Sequence, residues 1–236
     1  MRRLPGPSRP LVLCYHAITD GWTHALATRP DVLERQIRAL LRRGFRPARA
    51  EDVVGGHGGL LHVTFDDAFR SVRGGLAIAR QFGLPVTVFA CTAYAENGRP
   101  LDVPELELDV SRHAGELETM TWDDLRALAA EGVEVGSHTV THAHLPALSD
   151  VELERELGDS RLRLEDELGR PCRFFAYPYG EEDLRVQEAA RVAGYDAAFA
   201  LPGPSGPVKP FALRRVGVYR RDNRLRFRLK TSRLAR

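Results

Sequence analysis

LLHVTFDD, residues 60–67, is a short apolar, β-branched run that ends in two adjacent carboxylates. Six residues of this kind read as a buried strand. Asp66 and Asp67 then stand at its carboxyl end. Residues 69–82 follow with helical character and stop at Gly83, and residues 85–91 (PVTVFAC) form a second β-branched strand. The same alternation extends in both directions. Upstream, residues 11–15 (LVLCY) read as a strand. Thr28, Pro30 and Asp31 open a helix with Leu33, Ile37, Leu40 and Leu41 on one face and Gly44 as its stop. Downstream, Thr121 and Asp124 form a capping box for a helix to about Ala130, ended by Gly132. Residues 133–137 are a strand. Ser149 or Asp150 caps a long helix to Leu168, with Gly169 and Pro171 behind it. Residues 174–177, 197–201 and 213–219 are further strands, and residues 183–193 a further helix. Residues 92–118 match no element. Strands alternating with helices at this spacing predict a parallel sheet, open or closed into a barrel. No linker or internal repeat interrupts it, so residues 1–236 read as a single domain.

The composition, 43% hydrophobic and 28% charged over 236 residues, is that of a globular chain and excludes a disordered one. No run reaches the roughly 18 apolar residues of a membrane span. Arg2 and Arg3 resemble the start of a signal peptide, but LVLCY is too short for its apolar core, so a cytoplasmic protein is expected. Cys14, Cys91 and Cys172 are isolated, odd in number and set in apolar surroundings, which argues for buried thiols over disulfides or a CxxC site. The net charge of +2 hides a basic stretch: residues 214–236 hold nine Arg, one Lys and one Asp. The basic C-terminal tail, 220–236, is expected to be a solvated end, with an anionic membrane surface or glycan as its alternative partner. No aromatic-interleaved basic strand points to nucleic acid.

In parallel α/β folds, sites form at the carboxyl ends of the strands. There the chain places His16, the Asp66–Asp67 pair, Ser137-His138 with His142 and His144 just beyond, and Tyr177-Pro178-Tyr179-Gly180. His138 and His142 are four apart, which on a helical turn brings both rings to one side at metal-ligand reach. A carboxylate from Asp66 or Asp67 would complete a set of two histidines and one acid. Each feature alone has a plain alternative, such as caps or surface residues; together, on separate strands, they argue for a metal site.

TFDD at 64–67, SHTVTH at 137–142 and AYPYG at 176–180 resemble, in order, the first three motifs of the polysaccharide deacetylases, the NodB-homology domain of carbohydrate esterase family 4. VLCYHAIT near the start and LRRVGV near the end resemble members whose first strand ends in Tyr-His. The resemblance implies a distorted, incomplete (β/α) barrel. It also implies one divalent metal, usually zinc, and hydrolysis of N-acetyl groups on an amino-sugar glycan or glycan precursor. Carried over, Asp67, His138 and His142 would hold the metal and Asp66 would be the catalytic base. The backbone N–H of Tyr179, aimed by Pro178, would join the metal in holding the oxyanion.

The sequence departs from that pattern. Many members read Arg-Pro-Pro-Tyr in the third motif, and the Arg tethers the base. Here Ala176 stands in its place; Arg173 is near, and Arg215 on the last strand is the better replacement. The late Leu-x-x-His that supplies a general acid is absent, since no histidine follows His144. The leaving amine still needs a proton, and His16 is the candidate donor. TFDDA replaces the common TFDDG, which alters only the turn's freedom. His144 reads as a rim residue, and Trp122 and Tyr94 as packing. Two alternatives remain: an amidohydrolase of this fold acting on a non-sugar C–N bond, and a catalytically inactive metal-binding module.

Overall fold

The computed structural model describes residues 9–201 and 209–232. Arg2, Arg3 and residues 233–236 of the basic stretch lie outside them. The strands are all parallel and run in the spatial order Leu213–Arg214, Ala197–Ala200, Phe174–Ala176, Glu134–Ser137, Val86–Ala90, Leu60–Phe65, Leu11–Tyr15 and Val216–Gly217. The first and last of these belong to one stretch of chain. Residues 213–214 pair with the Ala197–Ala200 strand, and residues 216–217 with Leu11–Tyr15. A nearly closed barrel results, wrapped by helices such as Pro30–Arg42, Val72–Gln81, Trp122–Ala130, Asp150–Leu168 and Leu184–Val192. The expected single strand over 213–219 is thus two short ones flanking Arg215. The chain must leave one neighbour to reach the other, because the barrel's twist separates the two edges.

Alternation along each strand divides apolar from chemical positions. In the Leu60–Phe65 strand, Leu61, Val63 and Phe65 join the core beneath the helices. His62 and Thr64 point the other way, and Asp66 continues their side. In the first strand Leu11, Leu13 and Tyr15 pack outward. Val12 packs inward with Phe89, Phe174, Phe199 and Leu213, one residue from each of five strands. Cys14 and His16 follow Val12 on the inner side.

The local signals mostly act as expected. Thr121 accepts from the Asp124 N–H, Ser149 rather than Asp150 caps the long helix, and Gly169 ends it at φ +63°. Thr28 lies in a two-residue strand, and Arg29 precedes the Pro30 helix without a side-chain cap. The helix expected from residue 69 begins at Val72, because residues 67 and 68 turn sharply. Residues 92–118 hold short pieces, Thr92–Ala95, Pro104–Leu106, Glu107–His113 and Ala114–Glu116, too brief to show a period. They are anchored by buried Leu101, Val103, Leu106 and Leu117 and by Trp22 Nε1, which donates to Asp109 over 2.7 Å. Within the basic stretch, Arg224–Lys230 is a helix that buries Phe227, and Lys230 bonds Asp222 and the Gly217 carbonyl. No helix among the described residues is long and apolar enough to cross a membrane.

One inward position has no room for a side chain. A Cβ on Gly136 would stand 2.6 Å from the Phe89 ring and 2.7 Å from the Phe174 carbonyl oxygen. Gly136→Ala is therefore expected to lower the unfolding free energy by about 1–3 kcal/mol, the usual cost of overpacking. Urea titration with a reduced midpoint at unchanged slope would show it.

Candidate active site

Two consecutive carboxylates leave the Leu60–Phe65 strand for different partners. Asp66 receives both arms of Arg215: Nη1 donates to Oδ1 at 2.5 Å and Nη2 to Oδ2 at 2.8 Å. Nη1 also reaches Thr64 Oγ1 at 3.0 Å, and the guanidinium lies 5.6 Å from the Phe89 ring centroid. Such a fork-to-carboxylate pair is the strongest geometry available to two side chains. Cys14 adds its thiol, Sγ donating to Asp66 Oδ2 over 3.2 Å. Burial raises the Asp66 pKa, but Arg215 and His138 outweigh it and hold the carboxyl well below the ordinary carboxylate range. Burial pushes the Cys14 thiol up, so it stays a protonated donor.

Asp67 adopts φ +66°, a left-handed conformation unusual outside glycine and costing roughly 1–2 kcal/mol. Ala68 follows at φ +49°, so the alanine of TFDDA adds strain where a glycine would not. That turn sends the Asp67 carboxylate toward the histidines. Its Oδ1 lies 3.3 Å from His142 Nε2 and 3.5 Å from His138 Nε2. It is buried and accepts no hydrogen bond.

The histidines meet without a helix. His138 ends the Glu134–Ser137 strand, its N–H bonded to the Ala90 carbonyl. Thr139 and His142 then take φ +73° and +65°, folding the loop back on itself. The expected helical turn is replaced by this tighter loop, which Glu156 holds. Its carboxylate accepts from Val140 N, Thr141 N and Thr141 Oγ1 at 2.7–2.9 Å. His138 Nδ1 lies 2.7 Å from the Ala176 carbonyl oxygen. It carries the proton, then, and Nε2 presents its lone pair to Asp67. Burial pushes the His138 pKa down to about 4, so the ring is neutral at pH 7. Oxygen and imidazole donors from Asp67, His138 and His142, all within 4.8 Å of one another, fit a divalent cation. The orphaned Asp67 oxygen is the observation that favours one.

Three further residues line this mouth. His16 is nearly buried, and its Nδ1 has no hydrogen-bond partner. A His16 ring nitrogen, Cys14 Sγ and an Asp66 carboxylate oxygen lie within 4.8 Å of one another. Tyr179, in the turn after Phe174–Ala176, has φ +59°, and its ring stands edge-on to His142 with centroids 4.5 Å apart. His144 stacks flat on Tyr179. Every site residue named from sequence is therefore at one end of the barrel. Ala176, where the resemblance expects an arginine, is fully buried and serves His138 through its carbonyl, while Arg215 reaches Asp66 from the closing stretch. Arg173 instead pairs with Glu51 and Asp196. Trp122 and Tyr94 are buried.

A sequence profile described as polysaccharide deacetylase matches residues 55–198. The chain belongs to the polysaccharide deacetylase family. YxkH of Bacillus subtilis (strain 168), itself named for that family, is 22% identical over 223 residues, spanning 90% of this chain and 72% of that protein. Among solved structures, the deacetylase PplD of Streptococcus pyogenes, in complex with acetate, superposes with a TM-score of 0.76 at 17% identity. The match covers 96% of this chain and 99% of that one. BA0330 of Bacillus anthracis gives a TM-score of 0.74 at 21% identity over 96% and 70%. These likenesses establish the barrel as that of polysaccharide deacetylases. The family is one of hydrolytic deacetylases acting on glycans.

Sequence reasoning missed three residues of this family member's site. Cys14 read only as a buried thiol, Glu156 was not singled out within the long helix, and Glu105 lay in the unassigned stretch. Each acts through a contact distant in sequence, and no local pattern marks it.

The Arg215 pair carries a pH signature. With its pKa depressed, Asp66 contributes stability that is full above the unfolded value near 4 and fades as pH falls below it. In Arg215→Met the carboxylate is left buried without its partner, and burial alone raises its pKa. The variant is expected to lose about 3–5 kcal/mol at pH 7. The deficit should shrink toward pH 4.5 as Asp66 takes up a proton. Urea unfolding of both proteins at the two pH values measures the difference.

Proposed function

We propose that this protein is a metal-dependent N-deacetylase of an amino-sugar glycan or glycan precursor, with Asp67, His138 and His142 holding one divalent ion, zinc by donor type. The observation that carries this reading is the division of labour between neighbouring acids. Asp67 turns an unpaired oxygen to the two imidazoles of His138 and His142, whereas Asp66 is held apart by Arg215.

When bound, a divalent ion would acidify a water to a pKa of about 7 and polarise the acyl oxygen. Asp66 is the base that holds the proton given up by the attacking water. Its two oxygens are fixed by Arg215 and Cys14, so the carboxylate needs no reorientation. Because Arg215 keeps it ionised, it accepts a proton across the whole working range, at the expense of basicity. The Tyr179 N–H serves as oxyanion donor, and its left-handed backbone after Pro178 sets the direction. His16 protonates the departing amine. Its ring lies beside Asp66, and its Nδ1 has no hydrogen-bond partner within the protein. Arg215 in the role of the missing Arg weakens the case for a non-sugar C–N substrate that rested on Ala176.

Free amine released from N-acetylglucosamine oligomers, with and without added zinc, tests the reading. The protein with both His138→Ala and His142→Ala is expected to lose stoichiometric metal. Asp66→Asn should retain metal and lose turnover, because an amide cannot accept the proton. Equal metal loss in Asp66→Asn and Asp67→Asn would contradict the assignment.

His16→Ala is expected to lower kcat by roughly 10²–10⁴-fold, the usual contribution of a general acid. Metal content should stay unchanged. An activated substrate with a good leaving group should suffer less, and comparison of the two kcat ratios checks this.

A further inference from the structure

The stretch 92–118 that no sequence pattern explains sends one side chain to the barrel mouth. Glu105, in the Pro104–Leu106 turn, accepts a hydrogen bond from Tyr179 Oη at 2.9 Å, and its other oxygen lies 3.2 Å from His144 Nε2. The far side of His144 is held by Glu181, 2.9 Å from Nδ1. The His144 ring is parallel to that of Tyr179, with centroids 3.8 Å apart and 4° between planes. The Tyr179 ring also stands edge-on to that of His142. Tyr179 is thus held at its hydroxyl and against its ring by residues from two separate segments, 104–106 and 142–144.

That fixing answers a specific need. Tyr179 is a non-glycine residue at φ +59°, a backbone state that persists only where surrounding contacts over-determine it. We propose that Glu105 and His144 are positioning residues for the reaction. They clamp the Tyr179 side chain, and through it they hold the backbone N–H that faces the developing oxyanion. This inference rests on the deacetylase reading for its catalytic consequence, while the clamp itself is a property of the chain alone.

Glu105 is about half exposed, and its segment keeps its other anchors, Asp109 on Trp22 and the buried leucines, so Glu105→Ala leaves a folded protein. On an N-acetylglucosamine tetramer, Glu105→Ala and Tyr179→Phe are each expected to lower kcat by about 10–100-fold, the scale of a misplaced oxyanion donor. KM and metal content should stay close to the parent values. The double variant should be no slower than the worse single, because both changes cut the same link. Glu105→Gln, which keeps an acceptor oxygen for Tyr179, should restore most of the rate. A rise in KM alone would make these residues substrate contacts and overturn the proposal. So would additive losses, or unchanged kinetics.

Hydrogen exchange followed by mass spectrometry provides a reading that needs no substrate. Peptides covering 178–181 should exchange faster in Glu105→Ala than in the parent, with those of the Glu134–Ser137 strand unchanged. Equal exchange at 178–181 would overturn the clamp even in a fully active protein. Should the parent release no amine from any N-acetylated sugar, the deacetylase reading fails separately, and exchange alone decides whether Glu105 fixes Tyr179.

Discussion

The two-armed contact between Arg215 and Asp66 is the constraint around which this molecule is arranged. Arg215 sits between the two short strands that close the barrel, one paired to each edge. Asp66 ends the strand on which the site is built. The ion pair therefore ties the closure of the fold to the orientation of one functional carboxylate. Both partners are fully enclosed, so each would be costly without the other. The pair's surroundings are chosen accordingly: Thr64 takes part of the guanidinium's hydrogen bonding, Phe89 lies against it, and Cys14 occupies the remaining side of the carboxylate.

Around that anchor the site uses backbone strain to place side chains that regular structure would separate. Asp67, Ala68, Thr139, His142 and Tyr179 all have positive φ, and each is a chemical position of the motifs or adjoins one directly. A strand alternates its side chains, so two neighbouring acids would face opposite ways. The left-handed turn at Asp67 lets both point into the barrel mouth with different partners. Likewise, the loop from His138 to His142 brings two imidazoles together within five residues, with Glu156 collecting the loop's N–H groups. Strain of this kind is sustained because the contacts around it are fixed, and the clamp on Tyr179 is one instance.

In the proposed reaction, the division between the two acids makes a low carboxylate pKa compatible with a role in proton transfer. Arg215 lowers the basicity of Asp66 while fixing its direction and keeping it ionised. Asp67 has no such cation, and its free oxygen faces two imidazoles, of which the neutral ring of His138 is oriented by the Ala176 carbonyl. Adjacent residues of the same type thus differ in chemistry entirely through what the rest of the fold brings to them.

The sequence by itself determined the alternation of the main strands and helices, the helix cap at Thr121 and, to within one residue, the cap of the long helix, and the gathering of the motif residues at one end of a parallel sheet. These follow from periodicity, from capping chemistry and from the rule that sites form at strand ends, all of which act over a few residues. Arg215 was legible as a substitute because the resemblance calls for an arginine that tethers the base and Ala176 occupies its usual place. The tertiary structure alone decided that residues 213–217 serve both edges of the barrel, that Cys14 donates to Asp66, and that Glu105 reaches Tyr179 across 74 residues of chain. It also replaced the helical turn expected at His138 and His142 with a left-handed loop. Such contacts depend on the barrel's closure and on strained backbone states whose cost is met by distant partners, and no local pattern of residue types encodes them.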